Sequence, residues 1–360
     1  MNHPEDHTYM SKALQLAELG LFTTTPNPRV GCIIVNQNKI VGEGYHRKAG
    51  EHHAEIEALN MAGEKSRGAT AYVTLEPCSH HGRTPPCTDA LIKAGITRVV
   101  AAMQDPNPLV AGQGLEKLRA ANIEITVGVM ENEARELNIG FVSRMTRNRP
   151  WVRMKIAASL DGKTALSNGQ SQWITGADAR KDGHRWRARA CAILTGIGTV
   201  RDDNPQLNVR EIESTGQPLR VIVDSQLQMP TDAKILIGGN VLIACAIENE
   251  TLAAPLRAEG AEIIVMPNSS GKVELPQLLN ELAKRGINEL HVEAGYKLNG
   301  SLLREGLVDE LLIYLAPCFL GDGAQGMANL TELVDLKDKL QLRIVDTRMV
   351  GSDLRLLARI

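Results

Sequence analysis

His53-Ala54-Glu55 opens one predicted helix, Pro77-Cys78 follows an extended segment, and Cys87 opens a second predicted helix after the eight-residue loop SHHGRTPP. One imidazole and two thiolates are the donor set that holds zinc tetrahedrally with three protein bonds. The fourth position is left for water, as a catalytic site requires. Zinc so held draws the pKa of its water toward ~7. Glu55, two residues past the histidine, is too close in sequence to ligate independently without strain, yet it reaches that water and can shuttle its proton. The helix starts at His53 and Cys87 favour thiolate and hydroxide. Two blander arrangements use the same residues. One is a closed structural knot with His80 or His81 as fourth ligand; the other is a pair of unrelated thiols beside a satisfied histidine. His80, His81 and Arg83 also suit an anionic substituent on a substrate, against the plain alternative of a solvated loop.

The elements that must position these residues alternate between helix and strand. Met10, Ala13, Leu14 and Ala17 mark a helix that ends near Gly20. Strands follow at 30–35 and 39–45, a helix with Ala54, Ala58, Met61 and Ala62 on its apolar face, and a strand at 71–75. A helix at 88–94, a strand at 98–103, a helix at 115–121 and a strand at 123–127 complete this half. Residues 144–150 (RMTRNRP) are polar, basic and end in proline, so the boundary is placed there and gives domains 1–146 and 147–360. Beyond it an extended segment at 151–158 leads into strands at 192–195, 219–223, 241–245, 262–265, 289–292 and 309–315, with helices near 177–188, 275–285 and 298–305. Both halves are expected to be α/β, helices covering a mostly buried sheet. The apolar segment 310–315 is either a buried central strand or a strand paired across a dimer.

Composition narrows the chemistry. At about 150 residues per domain, 360 residues suggest two domains. A net charge of −2 and only 11 aromatic residues exclude a broad polyanion-binding face, so no nucleic-acid partner is expected. No apolar run is long enough to span a membrane and the start MNHPEDHTYM lacks a secretory signal, which points to the cytoplasm. Cys32, Cys191, Cys245 and Cys318 stand alone in apolar surroundings and read as small buried hydrophobes rather than a disulfide framework. In the second half, Thr195-Gly196-Ile197-Gly198-Thr199-Val200 holds a Gly-x-Gly without the third glycine of a dinucleotide fingerprint, and a tight turn explains it as well. Val292-Glu293-Ala294-Gly295 ends a strand before a helix and offers backbone N–H groups to a pyrophosphate, or is an ordinary connection.

His-x-Glu followed by Pro-Cys and a second cysteine resembles the signature of zinc deaminases that act on nucleobases, where the second cysteine comes three positions later rather than nine. With TPNPRVG, GYHRKAG and MQDPNP, the run TLEPCSHHGRTPPC resembles the deaminase half of the bifunctional riboflavin-biosynthesis family, which joins a diaminohydroxyphosphoribosylaminopyrimidine deaminase to a reductase. The longer loop belongs to that family. KIAASLDGK, SQWIT, TGIGTV, DDNPQLNVR and VEAG resemble its reductase half, in the family's order and over nearly the whole chain. The resemblance implies a cytidine-deaminase-like three-layer α/β/α domain followed by a dihydrofolate-reductase-like α/β domain. It implies one Zn2+ on His53, Cys78 and Cys87, with Glu55 as proton shuttle. Asn27, His46, His80, Arg83, Asp105 and Asn107 would contact substrate, Arg83 and His80 at its phosphate. NADPH would bind Ala157, Trp173, Thr199, Asp203 and a turn formed by Gly295, Tyr296, Lys297, Leu298, Asn299, Gly300 and Ser301. Ser171, Arg187, Leu207, Arg210 and Glu293 would hold the second substrate, the two arginines clamping the ribose phosphate. Asp203 is the better candidate for proton handling near the hydride, with Lys155 as the alternative.

The implied reactions are hydrolytic deamination of 2,5-diamino-6-(5-phosphoribosylamino)pyrimidin-4-one to 5-amino-6-(5-phosphoribosylamino)uracil, and NADPH-dependent reduction of the ribosyl group to ribityl. The partner is then a small phosphorylated pyrimidine, with no membrane partner, and the assembly a homo-oligomer, dimer or tetramer. Two rivals share the residues. One is a deaminase of free nucleosides or RNA bases with a degenerate second domain, and the charge balance argues against its RNA form. The other is a structural zinc module attached to a nucleotide sensor, which would bind without turnover.

Overall fold

The computed structural model describes residues 5–80, 85–212 and 216–360. The chain divides into two compact units, Met1–Asn148 and Arg149–Ile360. In the first, α1 (Asp6–Glu18) precedes the hairpin of β1 (Gly31–Asn36) and β2 (Lys39–Tyr45). Then come α2 (Ala54–Ala62), β3 (Thr70–Val73), α3 (Cys87–Lys93), β4 (Arg98–Ala101), α4 (Gln113–Ala120), β5 (Glu124–Val127), α5 (Glu131–Leu137) and α6 (Ile139–Arg147). The sheet order is β2-β1-β3-β4-β5, with β1 antiparallel to both neighbours and β3, β4 and β5 parallel.

Alternation along β1 shows why the strands read as continuous apolar runs. Cys32 and Ile34 pack with Ala54, Ala58, Leu91 and Leu118 on one face, while Ile33 and Val35 pack with Met10, Ala13 and Leu14 on the other. A sheet covered on both sides is the expected three-layer arrangement. Because β3 and β4 run parallel, the segments that follow them leave the sheet at the same end. There Ala102 N–H donates to the Val73 carbonyl and Glu76 N–H to that of Met103. Helix α2 lies close on β2, since a Cβ at Gly42 or Gly44 would overlap the carbonyl oxygens of Ala58 and Ala54. That contact fixes the helix start beside His53.

The basic stretch 144–150, where the boundary was placed, begins within helix α6, which runs to Arg147. Its buried side is small, with Phe141 and Ser143 inward, and Arg147 folds back to donate to Ser143 Oγ. Such a narrow apolar stripe, like that of α5 where Ala134 alone is buried, leaves little periodic signal.

The second unit holds β6 (Trp151–Ser159), β7 (Lys163–Ala165), α7 (Ala177–Arg189), β8 (Ala192–Gly196), α8 (Ile197–Asp203), β9 (Leu219–Val223), β10 (Val241–Cys245) and α9 (Glu250–Ala258). There follow β11 (Ala261–Val265), α10 (Leu275–Lys284), β12 (Glu289–Val292), α11 (Tyr296–Arg304), β13 (Glu310–Ala316), β14 (Gln325–Gly326), β15 (Arg343–Val350) and β16 (Asp353–Arg359). Nine strands form one sheet in the order β11-β10-β9-β8-β12-β6-β13-β16-β15. It is parallel up to β13, and the hairpin of β15 and β16 adds antiparallel strands at one edge. Segment 310–315 is therefore interior, paired to both β6 and β16 and buried. The outer strand is β15, which the sequence reading missed because its residues are exposed on both faces. Helix α9 was missed too, with Pro255 inside it.

One face of the central strands is polar. Arg153, 2% exposed, reaches Glu289 at 3.0 Å and Glu310 at 2.5 Å, and the guanidinium groups of Arg153, Arg189 and Arg355 lie 4.5–5.7 Å from the Trp186 ring centre. All six cysteines are free, Cys32, Cys87 and Cys245 buried and Cys78, Cys191 and Cys318 half-buried. Among the described residues no helix is long and apolar enough to cross a membrane.

In the first unit, fully buried Asp6 accepts both Nη groups of Arg98 at 2.8 and 2.9 Å and the Tyr72 hydroxyl at 3.0 Å. Removing one partner of such a pair strands a buried charge. Asp6→Ala is expected to destabilise this unit by about 3–5 kcal/mol, read from its denaturant midpoint, whereas a shift under about 1 kcal/mol would show that the pair contributes little net stability.

Candidate active sites

His53 is the N-cap of α2 and Cys87 the first residue of α3, so two helix starts face the loop carrying Cys78. His53 Nδ1 lies 3.5 Å from Cys78 Sγ and 3.3 Å from Cys87 Sγ, and all three donor atoms fall within 4.8 Å of one another. Zinc bonds of about 2.0 Å to nitrogen and 2.3 Å to sulfur at tetrahedral angles place N and S about 3.5 Å apart, so the triad fits that ion. The Cys87 thiol and backbone N–H both point at Cys78 Sγ; with His53 beside it, the Cys78 thiol is drawn down to about 4 while that of Cys87 is pushed up. The hydrogen bond with Cys78 raises the pKa of His53. Glu55 is 3% exposed, and burial, with the Cys78 charge adding to it, pushes its pKa up to about 7. A carboxyl that gains and loses a proton near neutrality is suited to relaying one.

Of the residues expected at the substrate, Asn27 and His46 join this site. His46 Nδ1 is 3.0 Å from the His52 carbonyl, so it carries the proton and Nε2 accepts from Asn27 Nδ2 at 3.0 Å. The ring meets that of His53 edge-on at 5.4 Å, and burial lowers its pKa. Asp105 is half-buried near Cys78 and His80, its pKa raised mainly by burial, and its Oδ1 accepts the Asn107 N–H at 2.8 Å. His80 is exposed, whereas Arg83 and His81 lie outside the described residues.

In the second unit Ser171 Oγ donates to Asp203 at 3.0 Å, and Gln172 donates to the same oxygen at 3.2 Å. Arg187 meets Glu293 through Nε at 2.5 Å and Nη2 at 2.9 Å; its guanidinium holds that carboxyl well below the usual range despite burial. The Arg187 fork expected at phosphate is thus engaged by Glu293, another of the predicted substrate residues. Lys155 lies beside this pair, its pKa lowered by burial, while Glu293 opposes the shift. Leu207 is buried, with a positive φ of 46°. Arg210 is exposed and donates to Asn208 Oδ1. Its backbone N–H reaches His184 Nδ1 at 3.3 Å; burial, with Arg187 and Arg210 nearby, lowers His184 to about 4. Ala157 is half-buried on β6, and Trp173 is exposed under the Arg180 guanidinium, 4.6 Å away.

The segment expected as a turn is helical after Gly295. Gly295 is the N-cap of α11, and Tyr296, Lys297, Leu298, Asn299, Gly300 and Ser301 form its first turns. Asn299 and Gly300 pack against the segment at 327–329: Asn299 Nδ2 donates to the Met327 carbonyl, and a Cβ on Gly300 would overlap the Asn329 backbone. Gly295 instead faces Thr199 Oγ1, and the Gly-x-Gly lies at the start of α8, Gly196 against Leu298 and Gly198 toward open space. Backbone N–H groups at the start of α11 beside an open glycine surface fit a pyrophosphate.

Comparison with known proteins agrees with this geometry. Residues 3–103 match the cytidine and deoxycytidylate deaminase zinc-binding region, and 150–356 the RibD C-terminal domain. The chain is 48% identical to the riboflavin biosynthesis protein RibD of Escherichia coli, covering 97% of this chain and 98% of that one, and 44% identical to that of Aquifex aeolicus, covering 97% of each. The chain belongs to the RibD family. The RibD structure of Acinetobacter baumannii superposes with a TM-score of 0.92 at 43% identity, covering 99% of this chain and 98% of that one. A diaminohydroxyphosphoribosylaminopyrimidine deaminase/5-amino-6-(5-phosphoribosylamino)uracil reductase of Thermotoga maritima superposes with 0.86 at 34%, covering 98% of each.

As a member of the RibD family, this protein is a two-domain enzyme of riboflavin biosynthesis, a zinc-dependent deaminase followed by an NADPH-dependent reductase. Sequence reasoning passed over two residues that the fold brings to these sites. Glu76, 6% exposed, is an acid in the apolar run AYVTLEPC directly before Pro77-Cys78, and that misfit was its only signal. His184 lies one helical turn before Arg187, a spacing that marks it only once α7 is known.

Glu55→Gln is expected to lower deamination roughly 10²–10⁴-fold with zinc content unchanged. Stripping zinc with a chelator is expected to abolish deamination and leave NADPH oxidation by the other unit intact, with zinc restoring the loss. Deamination that survives either treatment would remove the triad and Glu55 from the reaction.

Proposed function

We propose that the first domain, residues 1–146, hydrolyses the 2-amino group of 2,5-diamino-6-(5-phosphoribosylamino)pyrimidin-4-one, and that the second, 147–360, reduces the ribosyl group of the resulting aminouracil to ribityl. The observation that carries this reading is the buried Glu55 carboxylate beside the His53, Cys78 and Cys87 donors, in one chain with a reductase domain. His53, Cys78 and Cys87 hold the zinc, which when bound supplies Lewis-acid activation of water. Glu55 takes a proton from the attacking water and delivers it to the departing amine, so that water enters and ammonia leaves. Asn27 and His46, fixed in one tautomer, and Asp105 and Asn107 orient the pyrimidine. His80 and Arg83 in the inter-cysteine loop take the phosphate.

In the second domain NADPH supplies the hydride, held by Ala157, Trp173, Thr199 and Gly295 with the start of α11. Ser171, Leu207, Arg210, Arg187 and Glu293 hold the ribose phosphate chain in its opened, imine-like form, so that C1′ accepts the hydride and the attached nitrogen a proton. Asp203 is already an acceptor for Ser171 and Gln172. The half-buried Lys155 ammonium, made more acidic by its surroundings, therefore suits the proton donor better than Asp203.

The assembly is a homo-oligomer in this reading, and the support lies on β15. It is the outer strand of the sheet, with Ile344 62% and Met349 61% exposed, and the segment before it exposes Val334 at 98% and Leu336 at 84%. An unpaired strand edge with apolar side chains is the kind of surface a second copy covers. Six free cysteines support a reducing, cytoplasmic setting.

Zinc-loaded protein incubated with the diaminopyrimidinone ribosyl phosphate is expected to yield only the product in which oxygen replaces an amino group, and the product carrying two further hydrogens only when NADPH is added. Product masses decide this. No deamination with zinc bound would overturn the substrate assignment, and deamination without reduction would leave the second domain a binding module.

A further inference from the structure

We propose that Glu76 is a positioning residue that sets the distance between the zinc-ligand loop and the segment carrying Asp105 and Asn107, and through it the fit of the pyrimidine to the deaminase site. The inference rests on the assignment of Asp105 and Asn107 as substrate contacts. Glu76 stands two residues before Cys78, and its carboxylate accepts four backbone N–H groups from across the site. Oε2 takes Asp105 at 3.1 Å and Gly112 at 2.9 Å; Oε1 takes Gly114 at 2.8 Å and Leu115 at 3.4 Å. Helix α4 has no cap of its own, because its N-cap is Gly112, in the left-handed region and without a side chain. The Gly114 and Leu115 donors in the first turn of α4 are therefore satisfied by a side chain from the metal loop. A second contact repeats the constraint. Gly114 packs against the Pro77 carbonyl oxygen so closely that a Cβ would overlap it, and its hypothetical Cβ lies 3.1 Å from Glu76 Oε1. One carboxylate thus joins the residue pair preceding a zinc ligand to both ends of the 105–115 loop, and Asp105 then orders Asn107 through the bond from its N–H.

The joint predicts a specific failure. Glu76→Gln replaces one acceptor oxygen with an NH2 that faces backbone donors, which frees the loop without touching metal or substrate directly. In the full chain with zinc bound, KM for deamination is expected to rise roughly tenfold while kcat per bound zinc changes less than about twofold. Amides 112–115 should lose hydrogen-exchange protection, and NADPH-dependent reduction of the separately supplied aminouracil should be unchanged. Gly114→Ala, which forces the same contact apart with the carboxylate intact, should reproduce the KM effect, and it decides the matter if Glu76→Gln does not fold. An unchanged KM in both variants overturns the proposal. So does loss of zinc in proportion to loss of activity, since Glu76 would then serve the metal alone. Asp105→Ala and Asn107→Ala in parallel separate the two ideas. If neither alters KM, the contact assignment fails and the proposal with it; if they raise KM and the Glu76 and Gly114 variants do not, the joint alone is wrong.

Discussion

His53 Nδ1 within 3.5 Å of two cysteine sulfurs is the constraint around which the first domain is arranged. The hydrogen bond between the two thiols, one proton held between two sulfurs, draws the Cys78 pKa down and pushes that of Cys87 up. A divalent ion replaces that proton with two bonds to thiolate, so metal binding and local order are coupled. The scaffold has to offer the three donors before the ion arrives. It does so with the starts of α2 and α3 and a loop at the end of β3, each placed by backbone contacts. Glycines let α2 lie close on β2, and Thr88 N–H and Cys87 N–H reach back to the carbonyl and sulfur of Cys78.

The second domain meets a comparable demand without a metal. Its buried polar face is neutralised by pairs and stacks. Arg153 lies between Glu289 and Glu310, Arg187 on Glu293, and three guanidinium groups against Trp186. Charges held this way cannot reorganise freely, which keeps the surroundings of a reacting centre fixed in orientation. Lys155 lies at the margin of this network, where burial disfavours its charge and Glu293 favours it. Its acidity is therefore set by neighbours that also hold the ribose chain in the proposed function.

Legibility in the sequence follows the distance over which each feature is encoded. Strands β9, β10 and β12 were read to the residue because each has at least one wholly apolar face, and α2 and α7 were located because buried residues repeat along them. The zinc triad was legible because its donors are of rare types at characteristic spacing. Helices α5 and α6 were lost because each buries only a few side chains, and β15 because it buries none. The engagement of Arg187 with Glu293 spans 106 positions and exists only once α7 packs beside β12. Glu76 was hidden for a different reason. Its partners are backbone N–H groups, which every residue but proline carries, so nothing in the residues it binds distinguishes them.

The spacing of Cys78 and Cys87 explains why the metal half needs such a joint. A Cys-x-x-Cys pair places both sulfurs within a single turn at a helix start, where the helix alone fixes their separation. With eight residues between them, Cys78 belongs to the loop leaving β3 and Cys87 to α3, so their separation depends on how loop and helix are packed. Contacts that tie the Cys78 loop down become part of the metal geometry. Glu76 and Gly114 tie it to α4, and Cys87 N–H ties it to α3. The longer loop in return presents His80 and Arg83 beside the zinc donors in sequence, which a Cys-x-x-Cys turn has no room to carry. In this fold a longer inter-cysteine loop and a distributed set of backbone ties are two consequences of one change in ligand spacing.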